Sequence, residues 1–243
     1  MAAIALVRTL AAALFLVLYA LLVGSVFILH ALLTGSVRLL YPVCVSGARI
    51  ALRIAGVRTR AEGIENIPLG VCVYVSNHVS NLDPPVLVGC IPRRVALLVK
   101  RELFRIPLLG TVMRLGKLIP VNRRDPSAAR ASVRLAKRYL REGISYVIFA
   151  EGTRSRDGRL GEFKRGGFLL AIEAGVPVVP VSVIGTQKLL PRNGRLIRPG
   201  EVRVVFHPAV HAAEYSPETR RELAERIHAA ISSALPPEQQ PIS

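Results

Sequence analysis

From about residue 57 onward, the chain alternates short apolar runs rich in β-branched residues with polar or helix-forming stretches. Runs of this length bounded by turn residues predict strands, and their alternation with helical segments predicts an α/β fold. We therefore expect one α/β domain over residues 57–235, with a central mixed sheet flanked by helices. The predicted strands are 71–76, 95–99, 118–121, 145–149, 178–184 and 202–206.

Two stretches outside these strands have a helical period. In residues 127–141, Ala131, Leu135 and Tyr139 recur every four positions with basic residues on the other face, which predicts a helix that covers the sheet. A last helix is expected from residue 217 to about residue 235, with Ser216 as its N-cap. Residues 236–243 have no apolar period, so we expect a flexible C-terminal tail.

The first part of the chain differs, because no charged residue occurs between Arg8 and Arg38. The uncharged stretch, 9–37, has 29 residues, more than the ~20 that cross a bilayer. A secretory signal would have an apolar region about half as long, followed by a small-residue cleavage site. We therefore expect residues 1–56 to form an N-terminal hydrophobic helical membrane motif. Glycine–serine pairs inside it leave two geometries open: one tilted span, or two helices that dip into a leaflet and return.

The charge distribution predicts how this motif is oriented. Five arginines follow the uncharged stretch closely and only Arg8 precedes it, so we expect the rest of the chain on the cytoplasmic face of the inner membrane. The formal net charge is +17, and the chain without Arg8 carries +16. Such a surface favours anionic membrane lipid as a partner, because each basic residue near the headgroups contributes on the order of 1 kcal/mol. The five arginines are Arg38, Arg49, Arg53, Arg58 and Arg60.

The composition argues against several other classes of protein. A hydrophobic content of 51% is too high for a disordered chain. Aromatic residues make up only 5%, and the chain has neither zinc-finger spacing nor a basic leucine-zipper pattern, so we expect no nucleic-acid partner. Cys44, Cys72 and Cys90 form no CxxC pair and the five histidines do not cluster with them. We therefore expect reduced thiols and no metal site.

The sequence YVSNHVSNLDPP, residues 74–85, places His78 five positions before Asp83 at the end of a predicted strand. On one continuous helix the two side chains would point about 140° apart and could not meet. Pro84 and Pro85 instead predict a loop that begins at His78 and a helix with Asp83 at or near its N-cap. An aspartate that orients one imidazole nitrogen leaves the other free to accept a proton from a hydroxyl. Each residue alone also suits a simpler role, as a helix cap or an ordinary loop contact.

A second polar cluster, FAEGTRSRDGRLGEFKRGG, occupies residues 149–167 and directly follows a predicted strand. Its glycines let backbone amides approach an anion, and a helix expected from Phe168 adds a favourable dipole. The cluster therefore suits an anionic group, although a solvated basic loop has the same composition. A third stretch, LGKLIPVNRR at 115–124, ends in paired arginines and indicates little by itself. The basic residues of the cluster are Arg154, Arg156, Arg159, Lys164 and Arg165.

Four motifs, NHVSNLD, GKLIPVNR, FAEGTRS and GVPVVPV, occur in this order over residues 61–208. Together they resemble the sequence blocks of the glycerolipid acyltransferase family, nearest to its bacterial 1-acyl-sn-glycerol-3-phosphate acyltransferases. The resemblance implies that His78 is the general base and that Asp83 orients it. It also implies a membrane-attached helical motif at the N-terminus. The residues expected to bind substrate are Arg123, Glu151, Gly152, Thr153, Arg154 and Lys164.

The resemblance implies a reaction as well. A fatty acyl group would pass from acyl-CoA or acyl carrier protein to the sn-2 hydroxyl of lysophosphatidate, giving phosphatidate, with the thioester as co-substrate and no other cofactor. This chain has Ala150 where the family often has proline, which makes the acceptor less certain than the reaction. Two alternatives stay open: an acyltransferase for another lyso-lipid such as lyso-ornithine lipid, and a non-catalytic protein that binds anionic membranes.

Overall fold

A mixed sheet forms the centre of the protein in the computed structural model, which describes residues 2–121, 126–164 and 166–241. Within these residues the sheet has seven strands, in the order β1-β7-β6-β2-β5-β3-β4. β6 and β7 run antiparallel, and every other neighbouring pair is parallel. The strands are β1 (Val57–Glu62), β2 (Val73–Ser76), β3 (Val95–Lys100), β4 (Ile119–Val121), β5 (Ser145–Phe149), β6 (Val178–Ile184) and β7 (Gly200–Phe206).

The sheet confirms the expected α/β fold, and all six predicted strands are present. The prediction missed β1, whose sequence VRTRAE has three exposed residues in a row. β1 lies at the edge of the sheet and pairs only with β7 among the described strands. An edge strand with a solvated face needs few apolar residues, so its sequence carries little strand signal.

Helices cover both faces of the sheet. On one face the core contains Ala136, Phe168 and Ile227, which come from three different helices. On the other face Ala12, Leu52 and Val86 pack against the sheet. In the described residues the helices are α1 (Ala2–Tyr19), α2 (Ser25–Thr34), α3 (Leu40–Ile54), α4 (Asp83–Cys90), α5 (Leu109–Leu115), α6 (Pro126–Arg141), α7 (Gly166–Ala174), α8 (Thr186–Leu189) and α9 (Arg220–Ala234).

The N-terminal apolar stretch forms one helix over residues 2–34, because a π-helical turn, Ala20–Gly24, joins α1 to α2 without a break. The helix ends at Gly35, which has a left-handed conformation with φ of 70°. By length and composition it could cross a membrane. Many of its apolar side chains are exposed, among them Leu10, Leu14, Leu22 and Leu33.

Both ends of this helix contact the α/β domain. Near its start, the hydroxyl of Thr9 accepts a hydrogen bond from the backbone N–H of Ile197 at 2.8 Å. Near its end, Ile28 and Ala31 are buried in a cluster that includes Leu40 and Val112. At 1.5 Å per residue the helix is roughly 50 Å long, and it therefore lies along the domain.

The chain after α9 continues to contact the domain as far as Gln240, whose carbonyl accepts a hydrogen bond from Arg159 at 3.1 Å. Gln239 is 1% exposed, and its carbonyl accepts the N–H of Leu160 at 2.8 Å. Glu238 forms an ion pair with Lys188 at 2.8 Å. The flexibility that we expect for residues 236–243 stays a prediction, and these contacts oppose it.

Gly63 should be sensitive to substitution. It follows β1 with φ of 72°, and a Cβ there would overlap the carbonyl oxygen of Phe206. We expect Gly63→Ala to lower the free energy of unfolding by at least ~1–2 kcal/mol, the cost of a left-handed conformation for a residue with a Cβ. Thermal melts would measure the loss. Gly70→Ala is the matched control, because nothing lies within 4 Å of a Cβ at Gly70; equal melting temperatures for the two variants would contradict the expectation.

Candidate active site

The site begins where β2 ends, at the carboxyl edge of the sheet. Asn77, the residue after β2, is buried and takes the place of a ladder partner for β6. Its side-chain Nδ2 donates to the carbonyl of Val183 at 2.9 Å, and its Oδ1 accepts the N–H of Val183 at 2.8 Å. These two bonds fix the start of the following loop, because the amide satisfies both backbone groups of a central strand.

The loop brings His78 and Asp83 together, as their spacing predicts. Nδ1 of His78 lies 2.8 Å from Oδ2 of Asp83. The same oxygen accepts the backbone N–H groups of Val79 and Ser80, each at 2.8 Å. Asp83 is 0% exposed. α4 begins at Asp83 with Leu82 as its N-cap and without a side-chain cap bond, so Asp83 organises the loop before the helix and does not cap α4.

The second oxygen of Asp83 is held by a residue that the sequence analysis missed. The hydroxyl of Thr186 donates to Oδ1 at 2.6 Å. Thr186 begins α8, two residues after the end of β6. The sequence did contain a signal for Thr186, because it follows β6, a strand parallel to β2. The carboxyl ends of parallel strands meet on one side of a sheet, so a polar residue after β6 could be expected near His78.

The ring of His78 has a defined orientation. It stacks on the ring of Phe149, the last residue of β5, with centroids 4.0 Å apart and planes 21° from parallel. The side chain of His78 is 13% exposed. Because Asp83 Oδ2 accepts from the groups around it, Nδ1 is the donor to it, and Nε2 carries the free lone pair. The histidine can therefore accept a proton at Nε2.

Glu151 supports the same loop from the neighbouring strand. Its Oε1 accepts the backbone N–H of His78 at 2.7 Å, and its Oε2 accepts that of Gly161 at 3.3 Å. Glu151 is only 8% exposed. Burial raises the pKa of Glu151 to about 7. The two N–H groups lower this pKa, and the negative charge of the nearby Asp83 raises it by a smaller amount than burial does.

The basic loop after β5 is pinned against His78. The N–H of Ser155 donates to the carbonyl of His78 at 2.7 Å. Nη1 of Arg154 donates to the carbonyl of Arg192 at 2.7 Å, and Arg192 in turn donates to the carbonyl of Arg154. Arg154 is half-buried and borders a cleft of about 500 Å³ together with Glu151 and other loop residues. Arg154 is thus held next to the loop that carries His78.

On the other side of Glu151 is a larger and mostly apolar cleft of about 620 Å³. Gly152 has φ of 74° and lies under the side chain of Lys164, where a Cβ would be 2.9 Å from Lys164 Cδ. Both residues border the cleft, and Phe149 connects it to the ring of His78. Its apolar wall includes Leu98, Val121, Ile148, Leu169 and Leu170.

The structure therefore brings together most of the predicted site residues. His78, Asp83, Glu151 and Arg154 meet around one loop through the contacts above, and Gly152 and Lys164 lie beside it. Thr153 is exposed in the same loop and borders the smaller cleft. Arg123 lies outside the described residues. The assigned roles of all eight residues stay predictions.

Comparison with known proteins identifies relatives. A family model described as Acyltransferase matches residues 58–184. The "1-acyl-sn-glycerol-3-phosphate acyltransferase" of Pseudomonas aeruginosa is 36% identical over 183 residues, which cover 75% of this chain and 70% of that protein. The chloroplastic "1-acyl-sn-glycerol-3-phosphate acyltransferase LPAT1" of Arabidopsis thaliana is 37% identical over 172 residues, covering 68% of this chain and 48% of that one. The corresponding chloroplastic BAT2 protein of Brassica napus is 36% identical over 70% of this chain and 51% of its own length. The chain thus spans about half the length of these two plant relatives.

A solved structure is also similar. The crystal structure of the "1-acyl-sn-glycerophosphate (LPA) acyltransferase, PlsC, from Thermotoga maritima" matches with a TM-score of 0.77 and 27% identity. The match covers 91% of this chain and 93% of that chain. The segment that the family model matches runs from β1 to the end of β6 and so contains the His78–Asp83 pair and the Glu151 loop. On these grounds the chain belongs to the acyltransferase family.

Proposed function

We propose that this protein transfers a fatty acyl group from an acyl thioester to the sn-2 hydroxyl of 1-acyl-sn-glycerol-3-phosphate, giving phosphatidate. The observation that carries the proposal is the oriented pair of His78 and buried Asp83, set between an apolar cleft and a basic loop. The names of the relatives support this acceptor. A protein that only bound anionic membranes would not need an imidazole held by a buried carboxylate.

In the proposed reaction, Nε2 of His78 accepts the proton of the acceptor hydroxyl as its oxygen attacks the thioester carbonyl. The tetrahedral intermediate collapses, the carbon–sulfur bond breaks, and the thiolate takes up the proton from the imidazolium. Asp83 stabilises the positive charge that the ring carries in between, through the bond to Nδ1. The thioester, from acyl-CoA or acyl carrier protein, is the only co-substrate in this proposal.

Direct transfer between the two substrates fits the cysteines of the chain. Burial raises the pKa of the thiols of Cys44, Cys72 and Cys90, which disfavours the thiolate form of each. A thiolate is the reactive form of cysteine in nucleophilic catalysis. We therefore propose a ternary complex rather than an acyl-cysteine intermediate.

The two clefts suit the two chemically different parts of the substrates, an acyl chain and a phosphate. The apolar cleft of about 620 Å³ reaches the His78 ring through Phe149, which suits an acyl chain. The smaller cleft of about 500 Å³ is bordered by Arg154 and Arg159, which suit a phosphate. Thr153, Lys164 and Arg123 stay proposed as further substrate contacts.

For Glu151 the contacts favour a different role from substrate binding. Both of its oxygens already accept backbone N–H groups, and little of the residue is exposed. We therefore propose that Glu151 is a positioning residue, which acts by holding the backbone of His78. This proposal replaces direct acceptor binding by its carboxylate.

We further propose that the protein attaches to the cytoplasmic face of the inner membrane without crossing it. A helix that crossed the bilayer could not keep both of its ends in contact with one domain, as the bonds of Thr9 and the packing of Ala31 require. Its exposed apolar side chains would instead enter one leaflet. Anionic membrane lipid is the proposed partner of the basic surface.

Replacing the proposed base should abolish the reaction. We expect His78→Ala to lower the turnover number about a hundred- to ten-thousand-fold, the usual contribution of a general base, while the fold persists because the loop is held by backbone bonds. Turnover with labelled acyl-CoA and circular dichroism of the detergent-solubilised protein would measure both. His211→Ala, at an exposed histidine, is the matched control. Near-normal turnover in His78→Ala would refute the mechanism.

The raised pKa of Glu151 predicts a pH-dependent stability. Because the folded protein keeps a proton on this carboxyl up to about pH 7, whereas an unfolded chain releases it near 4.3, the free energy of unfolding should fall as pH rises through this window. The fall should be of the order of 4 kcal/mol in the wild type at ~1.4 kcal/mol per pKa unit, and absent in Glu151→Gln.

Unfolding measured at pH 4.5, pH 6 and pH 8 in detergent would test this. Glutamine loses one of the two accepting oxygens, so the variant has a constant loss of stability, and only the slope with pH is compared. Glu162→Gln, at an exposed neighbouring carboxyl, should keep the wild-type slope. Parallel curves for wild type and Glu151→Gln would contradict the assignment.

An acceptor panel tests the proposed substrate directly. The wild type should acylate lysophosphatidate in preference to lyso-ornithine lipid, which lacks a phosphate. Arg154→Lys should raise the Michaelis constant for lysophosphatidate roughly 10- to 100-fold and change that for acyl-CoA little, since lysine keeps the charge but loses the bidentate contact worth about 1.5–3 kcal/mol.

The matched control is Arg221→Lys, at an exposed position of α9 outside this cleft, which should behave like the wild type. A wild-type preference for lyso-ornithine lipid would overturn the acceptor and leave acyl transfer standing. Absence of transfer to every lyso-lipid tested would overturn the enzymatic proposal itself.

A further inference from the structure

A group of unpaired arginines lies away from His78, where the N-terminal helix meets the sheet. Arg8 is the only charged residue of α1 and α2, and it is exposed. It lies on the same helix face as Ala5 and Ala12, which are buried. Its guanidinium lies over Gly56, where a Cβ would overlap it, so the Arg8 side chain points to the domain. Many of the apolar side chains on the rest of α1 are exposed.

Two more arginines complete the group. A cleft of about 540 Å³ is bordered by Arg8, Arg53 of α3 and Arg58 of β1, together with backbone at Gly56 and Gly200. A second cleft of about 260 Å³ adjoins it and shares Arg53 and Arg58. Three arginines from three different elements thus border one open space. We call Arg8, Arg53 and Arg58 the arginine cleft.

Nothing within the described part of the chain neutralises the arginine cleft. None of its three guanidinium groups has a hydrogen bond or ion pair with a described residue, whereas Arg60, two positions along β1, pairs with Glu62 at 3.1 Å. Glu201 is the cross-strand neighbour of Arg58, but no ion pair forms between them. Three like charges held together without a partner favour the binding of an anion.

The topology places the arginine cleft at the same end of the strands of the sheet as His78, the end where β2 and β6 finish. Because β7 runs antiparallel to β6, the starts of β1 and β7 lie beside the ends of β6 and β2. From β1 to β2 there are three strand spacings, roughly 14 Å at ~4.8 Å each. The cleft is therefore near the catalytic loop but distinct from it.

We propose that the arginine cleft binds the phosphate of an anionic membrane lipid. Guanidinium groups bind phosphate through paired N–H donors, and three of them can surround one phosphate. A membrane lipid is favoured over a soluble anion because Arg8 belongs to the apolar helix itself. The exposed Ile4, one helical turn before Arg8, and the exposed Val7 beside it offer the lipid's acyl chains an apolar surface. This site would fix the depth and tilt of the helix, and it does not depend on the acyl-transfer reaction.

The test compares binding of the full-length protein to phosphatidylcholine vesicles with binding to vesicles that also contain phosphatidylglycerol. The quantity measured is the ratio of the two partition coefficients, which removes the contribution of the apolar helix. The double variant Arg8→Gln with Arg53→Gln should lower this ratio more than tenfold, at about fivefold for each basic residue near the surface. The control, Arg220→Gln with Arg226→Gln on α9, removes the same charge from the opposite face of the sheet.

A loss confined to the cleft variant supports the site. Equal losses in the two double variants would mean that only general charge attraction acts, and would overturn it. An unchanged ratio together with a raised Michaelis constant for acyl-CoA would assign the cleft to the nucleotide phosphates of the donor, which also overturns the lipid assignment. If thermal melts show that the double variant does not fold, Arg58→Gln, at an exposed position of β1, should lower the ratio about fivefold, and no change in it would count equally against the site.

Discussion

The carboxylate of Asp83 accepts four hydrogen bonds, and the arrangement of the site depends on them. It binds two backbone N–H groups of its own loop, the ring of His78 and the hydroxyl of Thr186. A buried donor that loses its acceptor costs about 1–3 kcal/mol, so a loop conformation that broke these bonds without replacing them would be disfavoured. The aspartate that orients the ring of His78 is thus also the residue that shapes the loop around it.

The parallel arrangement of β2, β5 and β6 makes this convergence possible. The segments that follow these three strands supply His78, Glu151 and Thr186 in turn. Each comes from a distant part of the chain, yet all meet at one edge because the strands end there. Glu151 and Asp83 therefore support His78 from opposite sides, one through its backbone and one through its ring.

The sequence predicted those features that depend on local pattern. Six strands carried enough buried β-branched residues to be recognised, and the prolines after Asp83 predicted the loop that lets it meet His78. The features that it could not predict depend on tertiary contacts. β1 is polar because one face is solvated, and Thr186 reaches Asp83 across 103 residues of chain. The sequence also could not show that the carboxylate of Glu151 accepts the backbone N–H groups of His78 and Gly161, because these contacts join distant parts of the chain.

The N-terminal helix has contacts that an anchor alone would not need. Ala12 is part of the core that contains Leu52 and the sheet, and Ala31 is part of a cluster with Leu40. An unrelated apolar segment of the same length would still hold the domain at a membrane, but it would leave these surfaces of α3 uncovered. The helix is consequently a packed part of the fold as well as an apolar surface, and its exposed and domain-facing sides are under different chemical constraints.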